Sequence, residues 1–259
     1  MQEHCSRFDV TLATVAHVAG IRERARAEHT AEIVRLARQQ LERDGSASLS
    51  LRAIARDLGM ASSAIYRYFA SRDELLTSLI IDSYDRLGEA VEIADHGVRR
   101  RSDFLGRWRA MALALRAWAV ANPAEYSLLF GTPVPGYAAP QDTIGPASRY
   151  TIALMQLTVE MEAAGHSASD KVPAALRRDY ARFRDRFAVP ASDEMMMKGM
   201  AAWASVMGAI NLELFGHLHN VVDTPGALFD AVVELQGRQL FSETRPSGTD
   251  AGLRTSKSA

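Results

Sequence analysis

The chain has 259 residues, 47% of them hydrophobic and 24% charged, with a formal net charge of −1. That composition supports one large or two modest globular domains and excludes a generic binder of polyanions. A single cysteine, Cys5, excludes an intrachain disulfide, and no window of about 18 uncharged apolar residues marks a membrane span.

The N-terminus carries Glu3, His4, Arg7 and Asp9 without a continuous apolar run, so no signal peptide is expected. Residues 1–20 carry no strong signal, and Thr11 and Thr14 are poor helix formers. We read them as a flexible arm. Charge is uneven beyond it. Residues 21–72 hold ten Arg against six Asp and Glu, whereas residues 73–259 hold nineteen Lys and Arg against twenty-three acids. The positive excess therefore sits near the N-terminus, where phosphate binding would use it; an uneven solvated surface is the plainer alternative.

The first helix is expected over about 21–43. Ile33, Leu36, Ala37, Gln40 and Leu41 repeat at helical spacing, and Gly45 closes it. Its opposite face carries Arg22, Arg24, Arg26, Arg35 and Arg38. This is either a solvated face or a helix crossing a DNA backbone, and the neighbouring stretch of chain favours the second. That stretch, residues 50–76, SLRAIARDLGMASSAIYRYFASRDELL, predicts two short helices and a tight turn. Ser50 caps a helix over 51–58 whose buried face is Leu51, Ile54, Ala55 and Leu58. Gly59 comes where a left-handed residue is wanted. A second short helix carries Ile65 and Phe69 inward. Helices this short need a scaffold, and their steep arrangement is that of a helix-turn-helix whose second helix enters a DNA major groove.

Ala70-Ser71 then opens a helix over about 72–94, with Asp95-His96-Gly97 as its stop and Arg99 to Arg101 solvated. Further helices are expected over 104–121, from Pro123 (capped by Asn122) through Phe130, and over 144–164, 174–187, 192–218 and 225–241. GTPVPGYAAP at 131–140 reads as a loop. The helix over 192–218 is apolar on two sides. One stripe is Met196, Met200, Trp203, Met207 and Ile210; the other is Ala201, Ser205, Gly208, Leu212 and Phe215. A helix buried on two sides packs against its own bundle and something else. No Glu-x-x-His pair, HExxH, phosphate loop or nucleophile–base motif stands out. His217 and His219 have the wrong spacing to share a metal on a helix. No metal, cofactor or enzymatic activity is expected.

The run from Gly45 through Leu76 resembles the DNA-binding domain of TetR-family transcriptional regulators. The matching features are Gly45, Ser50, Arg52, Ile54-Ala55, Gly59, Ile65 to Phe69, Arg72 and Glu74 to Leu76. The later part resembles a WHG-type TetR ligand-binding region through Asn122-Pro123, Tyr126, FGTPVPGYAAP, Trp203, Gly208, Leu212-Glu213 and Gly216. Met207 stands where that subtype has its His. The resemblance implies an all-α homodimer with a three-helix head over 21–71 and a ligand-binding and dimerisation domain over 72–241. Residues 242–259 are Ser-, Thr- and Gly-rich and are expected to be a disordered tail.

Ser62, Ser63, Ala64, Arg67 and Tyr68 are the exposed positions of the recognition helix, and by resemblance Tyr66 faces a phosphate. Arg67 suits a guanine edge, with a phosphate contact as the alternative. Arg52 and Arg72 should anchor phosphates. Ala61 stands where the family often has a capping Ser, and Ser62 would cap in its stead. Trp108, Met111, Trp118, Tyr126, Met155, Met200, Trp203, Met207 and Asn211 are candidates to line an effector cavity, or are plain bundle core. The last two helices usually pair between subunits, so Ala201, Ser205, Gly208, Leu212, Phe215, Leu228, Val232 and Leu235 are the candidate dimer surface; intrachain core is the other reading. The expected partners are double-stranded operator DNA, a second copy of the chain and a small, largely apolar effector, in a bacterial cytoplasm and without a membrane. An architectural DNA-binding protein without an effector is the second reading.

Overall fold

The computed structural model describes the backbone of residues 6–166 and 171–241 and the side chains of residues 23–166 and 171–241. Among these residues the secondary structure is helical throughout: α1 Ser6–Asp44, α2 Leu51–Asp57, α3 Ser62–Ile65, α4 Arg72–Gly97, α5 Phe104–Ala121, α6 Pro123–Phe130, α7 Ile144–Ala163, α8 Ala174–Phe187, α9 Asp193–Leu214 and α10 Pro225–Phe241. Short 3-10 turns lie at Ser46–Ser48 and Gln141–Thr143. The all-α reading of the sequence is correct.

The described chain forms two compact units. One runs as far as Glu89 and takes in Trp118–Arg149; the other holds Ala90–Ala117 and everything from Tyr150 onward.

The first unit is built on the apolar stripe of α1. Ile33 and Ala37 meet Leu51, Ile54 and Ala55 of α2, Ile65 of α3 and Leu75, Leu76 and Leu79 of α4 in one buried cluster. Each fully buried aliphatic side chain here stabilises the unit by roughly 1.5–3 kcal/mol. That burial is what holds the short helices α2 and α3 in place. Ser50 caps α2 as expected, its hydroxyl accepting from the Ala53 amide at 3.4 Å. Gly59 turns the chain at φ +64°. The unit extends beyond the head expected over 21–71. Val134 joins the same core, and the Tyr137 and Thr77 hydroxyls meet at 2.9 Å.

In the second unit α9 and α10 lie side by side, and α8 packs on α9. The indole N–H of Trp108 on α5 donates to the Val233 carbonyl of α10 at 2.9 Å. A Cβ at Gly237 would meet Leu105 Cδ1 at 2.6 Å, so Leu105 of α5 would have to shift to admit one. Ser192 caps α9 by accepting from the Met195 amide at 3.2 Å.

Several boundaries differ from expectation. Helix α1 is already helical at Ser6, inside the stretch read as an arm; residues 1–5 and the tail over 242–259 lie outside the described residues. Helix α4 continues through Asp95 to Gly97, because Asp95 is gripped by arginines rather than free to end the helix. Helix α9 stops at Leu214, before turns in which Gly216 takes φ +77°. Asn122 occupies the cap position of α6, but its amide donates back to the Trp118 carbonyl at 2.8 Å.

Candidate nucleic-acid interface

Helix α3 and the turn after it form an outward ridge on the first unit. Ile65 is fully buried and Phe69 is 5% exposed. These two anchors leave Ser62, Ser63, Tyr66 and Arg67 exposed, with Ala64 and Tyr68 half-buried. Tyr66, at 43% exposure, is a large aromatic left in solvent. Ala61 occupies the cap position without a side-chain bond. Ser62 therefore opens the helix rather than capping it, and its hydroxyl is left available to a ligand. Regular helix ends at Ile65; Arg67, Tyr68 and Phe69 are held by turn bonds to the Ala64 and Ile65 carbonyls.

The arginines of this unit divide by what they hold. Arg52 and Arg67 are exposed, and their guanidinium groups make no hydrogen bond or ion pair with any described residue. Arg72, expected to anchor a phosphate, is turned inward. It donates to the Ser46 carbonyl at 2.7 Å and the Leu49 carbonyl at 3.2 Å, tying the entry of α4 to the turn before α2. The Ser46 carbonyl also accepts from the Leu49 amide in the 3-10 turn, and the guanidinium supplies further donors. Arg35 pairs with Glu32 on the same helix. Arg38 pairs with Asp82 of α4, so neither is a free phosphate donor of α1. Arg26, by contrast, donates to the Arg67 carbonyl at 3.2 Å. The His29 ring stacks on Tyr68, with ring centres 5.8 Å apart and planes at 28°. Sequence reasoning missed both contacts, since helical spacing shows only that Arg26 and His29 share the polar face.

A second feature absent from the sequence reading is a charged cluster in the same unit. Glu125 of α6 is 3% exposed. It accepts from the Ser83 hydroxyl at 2.6 Å and from Arg86. Asp82 accepts from Arg86 at 2.9 Å and from Arg38. Four charges from α1, α4 and α6 thus close on one another. A groove of about 510 Å³ beside it is lined by Arg26, Ala27, Thr30 and Val34 of α1 and Ser78 and Asp82 of α4.

The effector-cavity candidates do not share one unit. Trp118 and Tyr126 belong to the first, where Tyr126 is fully buried and packs on Phe130. Trp108, Met111, Met155, Met200, Trp203, Met207 and Asn211 belong to the second. Trp108, Met111, Met155 and Met207 are buried, whereas Met200, Trp203 and Asn211 are half-buried. The Trp203 indole N–H is shielded from solvent, beside the Tyr150 hydroxyl. The Tyr150 phenol is raised above its ordinary value by burial, against smaller opposing hydrogen bonds with Thr151 and Trp203.

The dimer candidates on α9 and α10 lie on the outside of the second unit. Ala201, Leu212, Phe215 and Leu235 are exposed, and Ser205, Gly208, Leu228 and Val232 are half-buried. A Cβ added at Gly208 would meet nothing within 4 Å. Within the chain, then, this stripe is surface rather than core.

Two family models match. Residues 33–79 match "Bacterial regulatory proteins, tetR family", and residues 108–235 match "Tetracyclin repressor-like, C-terminal domain". The HTH-type transcriptional regulator Rv1816 of Mycobacterium tuberculosis is 44% identical over 225 residues, spanning 83% of this chain and 94% of the relative. The regulator Mb1846 of Mycobacterium bovis matches with the same figures. Among solved structures, the regulatory protein SCO4313 is 34% identical with a TM-score of 0.69, covering 83% of this chain and 97% of that one. The TetR-family regulator PfmR of Thermus thermophilus has a TM-score of 0.54 at 16% identity, over 80% of this chain and 97% of that one, a likeness of fold alone.

Proposed function

Since the chain belongs to the TetR family and is a helix-turn-helix transcriptional regulator, we propose that it acts as a homodimeric repressor, released from its operator by a small, largely apolar effector. The observation that carries the DNA-facing half is the ridge at 62–68. It presents Ser62, Ser63, Tyr66 and Arg67 outward while Ile65 and Phe69 fix it from behind. Arg67 reads a base edge, its free guanidinium suited to the two acceptors of guanine. Tyr66 and Arg52 hold phosphates, and Ser62, Ser63, Ala64 and Tyr68 complete the contact surface. Arg72 acts from behind, by keeping the turn before α2 in place.

Dimerisation through α9 and α10 is supported by the exposure of Leu212, Phe215 and Leu235 beside the small residues Ala201, Ser205 and Gly208. Small side chains let two helices approach closely, and the large apolar ones lose their water. Two heads in one dimer then meet half-sites about 34 Å apart, one turn of DNA. Effector binding in the second unit is supported by the half-buried Met200, Trp203 and Asn211 among buried apolar neighbours. Effector binding would favour the dimer in which the heads no longer fit both half-sites. Among the described residues no helix is long and apolar enough to cross a membrane, in keeping with action on DNA in the cytoplasm.

A mobility-shift assay on the DNA upstream of the protein's own gene tests the repressor reading. Salt-sensitive, sequence-specific retardation supports it, and retardation indifferent to sequence removes it.

A further inference from the structure

We infer that Arg26 and His29 of α1 are positioning residues for DNA reading: together they set the pose of the Arg67–Tyr68 turn from outside the core. The inference rests on the reading that Arg67 faces the operator.

Helix α3 has only four residues, and the segment that carries Arg67 and Tyr68 continues it by turn bonds alone. A stretch this short has almost no stiffness of its own. On the inner side it is fixed by Ile65 and Phe69. On the outer side α1 supplies two contacts. Arg26 donates to the Arg67 carbonyl at 3.2 Å, an acceptor in the turn just beyond the helix. His29, three residues later and on the same face, lays its ring against Tyr68. The His29 ring is itself oriented, because its Nδ1 donates to the Ala25 carbonyl at 2.6 Å. That carbonyl can only accept, so the proton of a neutral His29 sits on Nδ1.

Arg26 and His29 are both exposed, and neither belongs to the buried cluster that folds the unit. Losing them leaves that core intact while freeing the turn. A backbone carbonyl held from one side and a ring held from the other fix the two consecutive residues whose side chains leave the surface. Small angular freedom there moves the tip of a long arginine by more than a hydrogen bond tolerates.

A positioning role differs measurably from a phosphate contact. A phosphate contact weakens binding to every sequence alike and lowers the salt slope by about one. A lost pose weakens the operator selectively and leaves the slope unchanged. The experiment uses the full chain, an operator duplex selected by the wild-type protein from a random pool, and a scrambled duplex of equal composition. Fluorescence anisotropy is recorded across a salt series. For Arg26→Ala we expect operator affinity to fall about tenfold, the scale of one good base contact, with scrambled affinity, salt slope and thermal unfolding unchanged. Arg26→Lys should recover part of the loss, since an ammonium also donates to a carbonyl. His29→Ala should lose several-fold, and His29→Phe should keep the stack and most of the affinity. Equal loss on both duplexes with a shallower salt slope, or no loss in either variant, overturns the inference. Arg67→Ala run alongside separates the two readings. If it leaves discrimination intact, the base-reading role of Arg67 fails; if it lowers discrimination about tenfold while Arg26→Ala leaves it unchanged, the positioning role fails.

Discussion

The Ser83 hydroxyl of α4 donates to the buried Glu125 carboxylate of α6 at 2.6 Å, and Arg86 closes on the same oxygen. Glu125 thus brings a negative charge into the first unit, where Ser83 and Arg86 of α4 bind it and Arg38 of α1 lies 4.0 Å away. Removing one partner of such a group costs more than the pair contributes, because the survivors are left desolvated. Glu125→Ala is expected to lower the unfolding free energy by about 3 kcal/mol, read from urea titrations followed by circular dichroism. A change below about 0.5 kcal/mol, the usual range for a surface site, would mean that water replaces the carboxylate freely.

Gly59 links α2 to the recognition segment at φ +64°, with nothing within 4 Å of an added Cβ. The cost of a side chain is therefore purely that of the left-handed backbone. Gly59→Ala should destabilise the protein by about 1 kcal/mol without disturbing packing. Differential scanning calorimetry checks this, and an unchanged or raised melting temperature would contradict it.

The second unit holds its own buried cation. Arg107 is 1% exposed and binds Asp95 at 2.7 Å, together with Glu160. Burial by itself pushes the Asp95 carboxyl up, but hydrogen bonds from Arg107 and Arg101, and then their charges, outweigh it and hold it below the ordinary carboxylate value. A carboxyl lowered on folding adds stability that is complete above its unfolded value, near 3.9, and is lost as pH falls through the folded one. Urea midpoints taken stepwise from about pH 5 downward should fall less steeply for Asp95→Asn than for the wild type. The variant should also be the less stable of the two at neutral pH. Parallel curves for the two proteins would show that Asp95 titrates as it does in the unfolded chain.

Gly208 separates assembly from folding. Its Cβ position is open within the chain, and a leucine in mid-helix is favoured over glycine by somewhat under 1 kcal/mol. Gly208→Leu should therefore leave the protomer at least as stable while blocking close approach of a second α9. Sedimentation velocity is expected to show a shift from dimer towards monomer, with operator affinity falling in step. A variant that stays fully dimeric would place the interface elsewhere.

How far the sequence carried the fold depends on where the signal is local. Helices α5, α8 and α10 begin and end where the sequence predicts them, because prolines and polar runs mark their ends. Ser50, Gly59 and the Ile65–Phe69 pair were legible for the same reason: each is a cap, a turn or an i, i+4 face. What the sequence hid is long-range. Nothing near Arg72 says that its guanidinium turns back to the Ser46 and Leu49 carbonyls. Glu125 reads as an ordinary acid in the first turn of a helix, and only the packing of α1 and α4 around it makes it buried. Val134 and Tyr137 read as loop, yet they close the core of the unit that carries the recognition ridge. Likewise Arg26 and His29 are two polar positions on a charged face until the fold brings the end of α3 against them.

The most direct test is sequence discrimination by the ridge at 62–68. Anisotropy titrations compare a selected operator duplex with a scrambled one, for the wild type and for Arg67→Ala, at about 0.1 M and 0.2 M salt. The wild type should prefer the operator by about 10³-fold or more, with affinity falling steeply as salt rises. Arg67→Ala should lose about tenfold on the operator and far less on the scrambled duplex. Equal affinity of the wild type for both duplexes, or an operator preference that survives Arg67→Ala unchanged, would contradict the reading of this ridge as the element that selects the DNA sequence.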